Sequence, residues 1–441
     1  MQQNTSRVEP GHPGFVWDDA ESAFGPTGAD KQSRAVRSRS TRVLVLGSFP
    51  PRECGIATFT KDVVDSLAAC ADVQCDVIAI DEPGSEARTY GRRVVARLTR
   101  DDVASYTSLA ALINAHPAPI LLVQHEYGLF GGEDGASFLK LLAAVRKPVV
   151  VVLHTILTAP NAHHRAVTQR ICAGASAIVV LSHTGKDILK RLYSVNENSI
   201  CIIPHGVPDV PFTSTACAKQ QLGLGDRTII STFGLLSRGK GLEDAINAMS
   251  TISVHHPAAL YLILGQTHPL VRQHEGNSYR DELTALVNTH GLHRNVAFVD
   301  RFLSFDDLMT YLSSTDIYLT PSLNADQIVS GTLAYALGCG KAIVSTPYLY
   351  AKEVLAQKRG VLCQFRDAAS IAAAVDTLLT YPLQRQAIAR RAYDYGHAMR
   401  WSNVAASYWH LLRDVISDVQ KLSASHGAVG RTLQMLAVTA T

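Results

Sequence analysis

The side chains with most chemistry to offer fall in a few short stretches. In "DQIVSGTLAYALGCGKAIVSTP", residues 326–347, Ser330, Gly331 and Thr332 precede a run of small residues. Ser330 or Thr332 can cap a helix there, and Gly331 lets an anion reach the unpaired N–H groups of its first turn. Ala334, Ala336 and Gly338 suit close packing on a sheet, which a purely structural helix needs as well. Upstream, "FGLLSRGKGLEDA" gathers Gly234, Arg238, Lys240 and Gly241 between an apolar run and a helical one. A lysine point charge beside an arginine fork suits a diphosphate. The GxxxxGK[ST] spacing of a P-loop is absent, and a solvated basic turn is the plain alternative.

Other polar residues also follow apolar runs. After "PILLV" come Gln124, His125, Glu126 and Tyr127, and after "PVVVVL" come His154 and Thr155. Two histidines ending neighbouring parallel strands can share one cleft, although a lone histidine more often serves structure. Gly55 opens a loop whose backbone N–H groups can face an anion, or is simply a turn glycine. In "TPYLYAKEV", Glu353 can reach a ribose or sugar hydroxyl.

These residues must be held by strands. Six continuous apolar runs in the first half ("RVLVLGSF", "CDVIAI", "PILLVQHE", "PVVVVLHT", "AIVVLS", "SICIIPHG") alternate with helical stretches. Six more ("TIISTFG", "ALYLILG", "NVAFVD", "DIYLTPS", "KAIVST", "GVLCQF") follow a linker near residues 207–225. Runs without polar alternation mark parallel strands covered on both faces. The expected fold is α/β, with two doubly wound parallel-sheet domains in tandem and ligands at the strand carboxyl ends.

Composition narrows the function. With 41 Lys+Arg against 38 Asp+Glu the net charge is +3, which argues against a nucleic-acid surface. No apolar run approaches the roughly 18 residues of a membrane span, and the N-terminus lacks a signal-peptide core. Eight scattered cysteines without a CxxC pair resemble reduced thiols, so a cytoplasmic protein is expected. Arg92, Arg93, Arg97 and Arg100 form a modest basic cluster that leaves peripheral contact with the inner membrane face open.

In order, "CGIATF", "LHT", "IIPHGV", "FGLLSRGKG", "STDIYLTPS", "SGTLAYALGCGKAIVST" and "RGVLCQFRD" resemble the retaining GT-B-fold glycosyltransferases of glycosyltransferase family 4, over about residues 42–415. The resemblance implies two Rossmann-like domains facing across a cleft. Residues 1–40, polar, rich in Gly and Pro and without periodicity, read as a disordered arm, and the resemblance implies an acceptor-side domain at 41–207 and a nucleotide-sugar donor domain at 225–398. A helix at 399–422 would cross back to the first domain, leaving a tail at 423–441. His154 matches the family histidine near the transferring sugar, and Lys240 its phosphate-binding lysine. Gly55, Arg238, Gln327, Ser330, Gly331, Thr332, Tyr335 and Glu353 become donor-side candidates, with His125 and Glu126 on the acceptor side. No cofactor and no catalytic metal are implied, and the chain has no Asp-x-Asp triplet.

Two departures stand out. The arginine expected after the glycine of the phosphate loop is Leu235, and the paired glutamates align with Gln327 and Tyr335. The chain resembles a branch of the family with a Q-x-x-SGTLAYAL-type segment. Gln327 can exchange hydrogen bonds with sugar hydroxyls but cannot act as a base, and Tyr335 can stack against or bond near the nucleoside. The leading expectation is a metal-independent retaining hexosyltransferase that uses a nucleoside-diphosphate sugar and a sugar, glycan or lipid-linked acceptor. A non-catalytic nucleotide-sugar-binding relative is the second reading. A nucleotide-sugar epimerase or hydrolase with Glu126 as base is the third.

Overall fold

The computed structural model describes residues 40–438 apart from 71, 72 and 86, with side chains as far as residue 421. The expected arm therefore lies outside the described residues except for Ser40.

The first sheet has seven parallel strands: β1 (Thr41–Gly47), β2 (Val73–Asp81), β3 (Val94–Thr99), β4 (Leu121–His125), β5 (Val149–Leu153), β6 (Ala177–Val180) and β7 (Ile200–Ile202), in the order β3-β2-β1-β4-β5-β6-β7. The second has six: β8 (Thr228–Phe233), β9 (Ala259–Leu264), β10 (Val296–Val299), β11 (Ile317–Thr320), β12 (Ala342–Ser345) and β13 (Val361–Leu362), in the order β10-β9-β8-β11-β12-β13. Val149 to Leu153 are all buried, as helices on both faces of a parallel sheet require.

Twelve of these strands coincide with the apolar runs, and β3 does not. It is an edge strand whose side chains alternate between half-buried and exposed from Val94 to Arg97 before Leu98 is buried, so it carries no continuous apolar signal. Its neighbourhood also uses the arginines of the basic cluster. Arg97 Nε meets Asp81 Oδ2 at 2.6 Å, Arg93 pairs with Asp65, and Arg100 Nη2 lies 2.8 Å from Asp101. No described helix is long and apolar enough to cross a membrane.

Two segments pass side by side between the lobes: Val207 N donates to Met399 O at 2.8 Å, and Trp401 N returns to Val207 O at 3.1 Å. The final helix, Trp401–Val438, then buries Val404, Tyr408 and Leu412 in the cluster of Val43, Val45, Phe59 and Val63 in the first lobe. Burying each such side chain favours the folded state by about 1.5–3 kcal/mol. The helical backbone continues beyond residue 422, where the sequence reading ends it.

Candidate functional site

In each sheet the strand order reverses between two neighbours, β1 and β4 in the first and β8 and β11 in the second. Loops leaving such neighbours diverge and open a crevice at their carboxyl ends. Gly55 follows β1, His125 and Glu126 lie at the end of β4, Arg238 and Lys240 follow β8, and Gln327 to Thr332 follow β11.

In the second lobe the two loops nest backbone against backbone. Leu323 N donates to Gly239 O at 2.9 Å, and a Cβ on Gly241 would lie 2.1 Å from Pro321 O. Gly241 also has φ +66°, so glycine answers both a conformational and a steric demand. The helix Gly331–Gly338 starts at the floor of this crevice. Ser330 caps it by accepting from Leu333 N at 3.3 Å, and its hydroxyl lies 3.2 Å from that of Thr332. The first-turn N–H groups of Gly331 and Thr332 have no intrahelical acceptor, so they can receive an anion.

The two cations of the loop behave differently. Arg238 is turned outward: Nη1 and Nη2 each reach Glu282 at 2.7 Å, Nη2 lies 2.9 Å from Glu275, and the guanidinium sits over Tyr279. These contacts engage the guanidinium that was expected to meet a phosphate with two surface carboxylates. The Lys240 side chain has no ion pair or hydrogen bond among the described residues, and burial lowers its pKa. It is the loop's unspent cation.

Gln327 has both ends engaged. Its Oε1 accepts from Ser322 Oγ at 3.1 Å and its Nε2 donates to Val329 O at 2.8 Å. The second bond needs a donor, which an amide supplies and a carboxylate does not.

In the first lobe, His154 is buried at the end of β5. Its Nε2 lies 2.8 Å from Oε1 of Gln124, a fully buried residue of β4. A carbonyl oxygen only accepts, so this bond places the imidazole proton on Nε2 and leaves Nδ1 as an acceptor. Burial, with His205 and His125 nearby, lowers the His154 pKa to about 3, so the ring is neutral at ordinary pH. His125 is also neutral and is stacked on Phe130, with neither ring nitrogen hydrogen-bonded. Glu126 accepts from Thr155 Oγ1 at 2.5 Å and from Tyr127 N at 3.0 Å, yet burial raises its pKa.

The lobes meet through two expected site residues, Tyr335 and Glu353, and through two that strand-end reasoning did not single out, His205 and Asp62. His205, after β7, stands between them: a Cβ on Gly331 would lie 2.8 Å from its Nε2, and its ring packs edge-on to Phe59 at 4.9 Å. Phe59 in turn meets His154 at 4.8 Å. The "IIPHGV" stretch held the available signal, a histidine three residues past a strand. Tyr335 donates to Asp62 at 2.5 Å, and burial raises the Asp62 pKa to about 6. Glu353 accepts from His183 N and Thr184 N, both at 2.9 Å, and from Thr184 Oγ1 at 2.7 Å. It thus caps the helix His183–Tyr193 of the other lobe, where a carboxylate also suits the positive end of the helix dipole. Tyr335 and Glu353, expected beside a nucleoside, are interlobe ties. Gly55 has open space where a Cβ would stand, and its helix is capped by Cys54 Sγ, which accepts from Ala57 N.

A cleft of about 330 Å³, lined by Glu53, Gln266, Thr267, Pro269, Arg272 and Gln273, borders the β8 loop. Leu236 N donates to Gln266 O at 2.9 Å on that border.

Residues 54–209 match the family model Glycosyltransferase Family 4, and residues 216–395 match Glycosyl transferases group 1. The chain carries the two domains of a GT-B glycosyltransferase, one in each lobe. Among solved structures it is similar to sucrose-phosphate synthase from Thermosynechococcus elongatus, with 18% identity and TM-score 0.70, covering 86% of this chain and 100% of that one. It is also similar to HepE from Anabaena in complex with UDP and glucose, with 16% identity and TM-score 0.66 over 85% and 100% of the two chains. A glycosyltransferase from Rickettsia africae shows 13% identity and TM-score 0.67 over 85% and 99%. No curated protein matches the chain.

Proposed function

We propose that the protein is a retaining, metal-independent hexosyltransferase. It takes a hexose from a nucleoside diphosphate and gives it to a hydroxyl of a sugar, glycan or lipid-linked acceptor. The observation that carries this reading is the unbroken path across the cleft, from His154 through Phe59 and His205 to Gly331 and Thr332. Thr332 Cγ2 would in turn touch a Cβ on Gly234 at 3.2 Å, which brings in the phosphate loop.

The diphosphate lies on the first-turn N–H groups beside Lys240, and the nucleoside extends into the cleft of Gln266 and Arg272. HepE has been seen with UDP-glucose, a ligand of this form. The hexose then faces His154. In the reaction the bond from C1 to the phosphate oxygen breaks and a bond from C1 to the acceptor oxygen forms on the same face. The acceptor proton passes to the leaving diphosphate. No protein nucleophile is required, so Gln327 in place of a glutamate is compatible with turnover. What the protein supplies is position and stabilisation of the charge on the leaving group.

One observation favours a second reading, a nucleotide-sugar-binding protein without turnover: Tyr335 and Glu353 are spent between the lobes. Incubation with a panel of nucleoside-diphosphate hexoses and candidate acceptors separates the readings. Transfer predicts nucleotide release that accelerates with acceptor and a product whose anomeric configuration, read by NMR, equals that of the donor. Calorimetric binding with no release across the panel defeats the enzyme reading. Release at one rate with or without acceptor points instead to a hydrolase, and an inverted anomer removes retention.

A further inference from the structure

Away from the path just described, two carboxylates and two imidazoles of the first lobe converge. Glu133 and Asp134 lie in a tight turn after β4, and His163 and His164 lie in the first turn of the helix Ala162–Gly174. Asp134 Oδ2 is 2.8 Å from His163 Nδ1, and Oδ1 is 2.9 Å from His164 Nε2. One ligand atom each from Glu133, Asp134 and His163 lies within 4.8 Å of the others.

We propose that Glu133, Asp134 and His163 bind a divalent first-row transition ion of the Zn2+ class, with His164 holding the second oxygen of Asp134. Carboxylate and imidazole bind such ions at about 2.0–2.2 Å, which sets neighbouring ligand atoms roughly 3–3.5 Å apart. One pair stands 2.8 Å apart and none of the three exceeds 4.8 Å, so small side-chain rotations complete the shell. Two carboxylates neutralise a dication, and His164 supplies the outer hydrogen bond that ligating carboxylates usually have. The backbone supports the arrangement. Asp134 sits in the left-handed region at φ 52°, and a Cβ on the following Gly135 would lie 2.8 Å from Tyr127 O, which confines the turn. A bound ion would pin the turn to the helix beside Tyr127, whose ring also packs against His125 and His164.

The test titrates full-length, chelator-stripped protein with Zn2+ against a chromophoric competitor. One equivalent should bind with an affinity that Asp134→Asn and His163→Ala each lower at least tenfold and His164→Ala lowers roughly tenfold. Asparagine tolerates the left-handed backbone, so Asp134→Asn preserves the turn. Zn2+ should also raise the melting temperature of the unmodified protein and not that of Asp134→Asn. No high-affinity equivalent, or equal affinity in all four proteins, overturns the proposal.

Discussion

At the ends of β4, β5 and β7 the histidines are sealed from water and uncharged, whereas after β8 and β11 a cation and free N–H groups are left for a ligand. His125, His154 and His205 are all buried deeply enough to stay neutral, with pKa values of about 3, 3 and 4. Among the described residues the Lys240 side chain and the N–H groups of Gly331 and Thr332 have no hydrogen-bond partner. The contrast separates two tasks. On the proposed function, a neutral, oriented imidazole suits placing a reacting group, and an open cationic crevice suits binding a dianion. Replacing a residue on one side should therefore change rate, and on the other affinity.

His154→Ala is the sharpest break. It removes a group held by Gln124 and aligned beside Phe59, so transfer should fall by about 10²–10³, the loss typical of one preorganised polar group. Donor affinity should stay within about threefold. A parallel loss of donor binding in calorimetry would erase the distinction between the two sides.

Lys240→Ala acts on the other side and should weaken donor binding by on the order of tenfold to a hundredfold, the span for one charge-assisted hydrogen bond. Arg238→Ala is its counterpart. Because Arg238 already serves Glu275 and Glu282 on the surface, the donor dissociation constant should move by less than about twofold. If Arg238 matters as much as Lys240, the loop reorganises when the donor binds.

The strands and the loops that follow them were readable because burial on both faces leaves an uninterrupted apolar run, and a parallel sheet brings the residues after such runs to one edge. "PVVVVL" therefore located His154, and "TIISTFG" located Lys240. β3 escaped because an edge strand needs no such run. The partners of Tyr335 and Glu353 escaped for a different reason. Asp62 is 273 residues from Tyr335, and Thr184 is 169 from Glu353. Nothing in local pattern or spacing encodes a contact made only when two separately folded lobes meet. The same holds for Arg238, whose charge was visible while its carboxylate partners, 37 and 44 residues on, were not.

The sealed histidines also predict how stability responds to acid. Each has a folded-state pKa below its unfolded value of about 6.5, so its contribution is complete above pH 6.5 and is lost as pH falls toward about 3 for His125 and His154 and about 4 for His205. Asp62, raised to about 6, acts in the opposite sense and over a similar window: its contribution is present below its unfolded pKa and lost as pH rises through 6. His125 offers the clean probe, because it stacks on aromatic rings and makes no side-chain hydrogen bond. His125→Phe should gain about 2 kcal/mol at pH 5 relative to pH 7 against the parent, measured by urea unfolding. Parallel pH profiles would mean that the imidazole is hydrated in the folded protein.

Gln327→Glu carries the smallest of the sizeable effects and tests why this chain departs from the glutamate pattern. The amide donates to Val329 O, and a carboxylate there would set two acceptors against each other. The loop leading into the Gly331 helix should lose about 1–2 kcal/mol, read as a lower melting temperature that recovers as the new carboxyl is protonated in acid. Donor binding should weaken with it, because the same loop aligns Ser330 and the free N–H groups. An unchanged melting temperature with a changed donor preference would instead mean that Gln327 turns away from Val329 to meet the hexose. The glutamine would then belong with the open, donor-binding side of the molecule, and its hydrogen bonds to Ser322 and Val329 would describe only the cleft before the donor arrives.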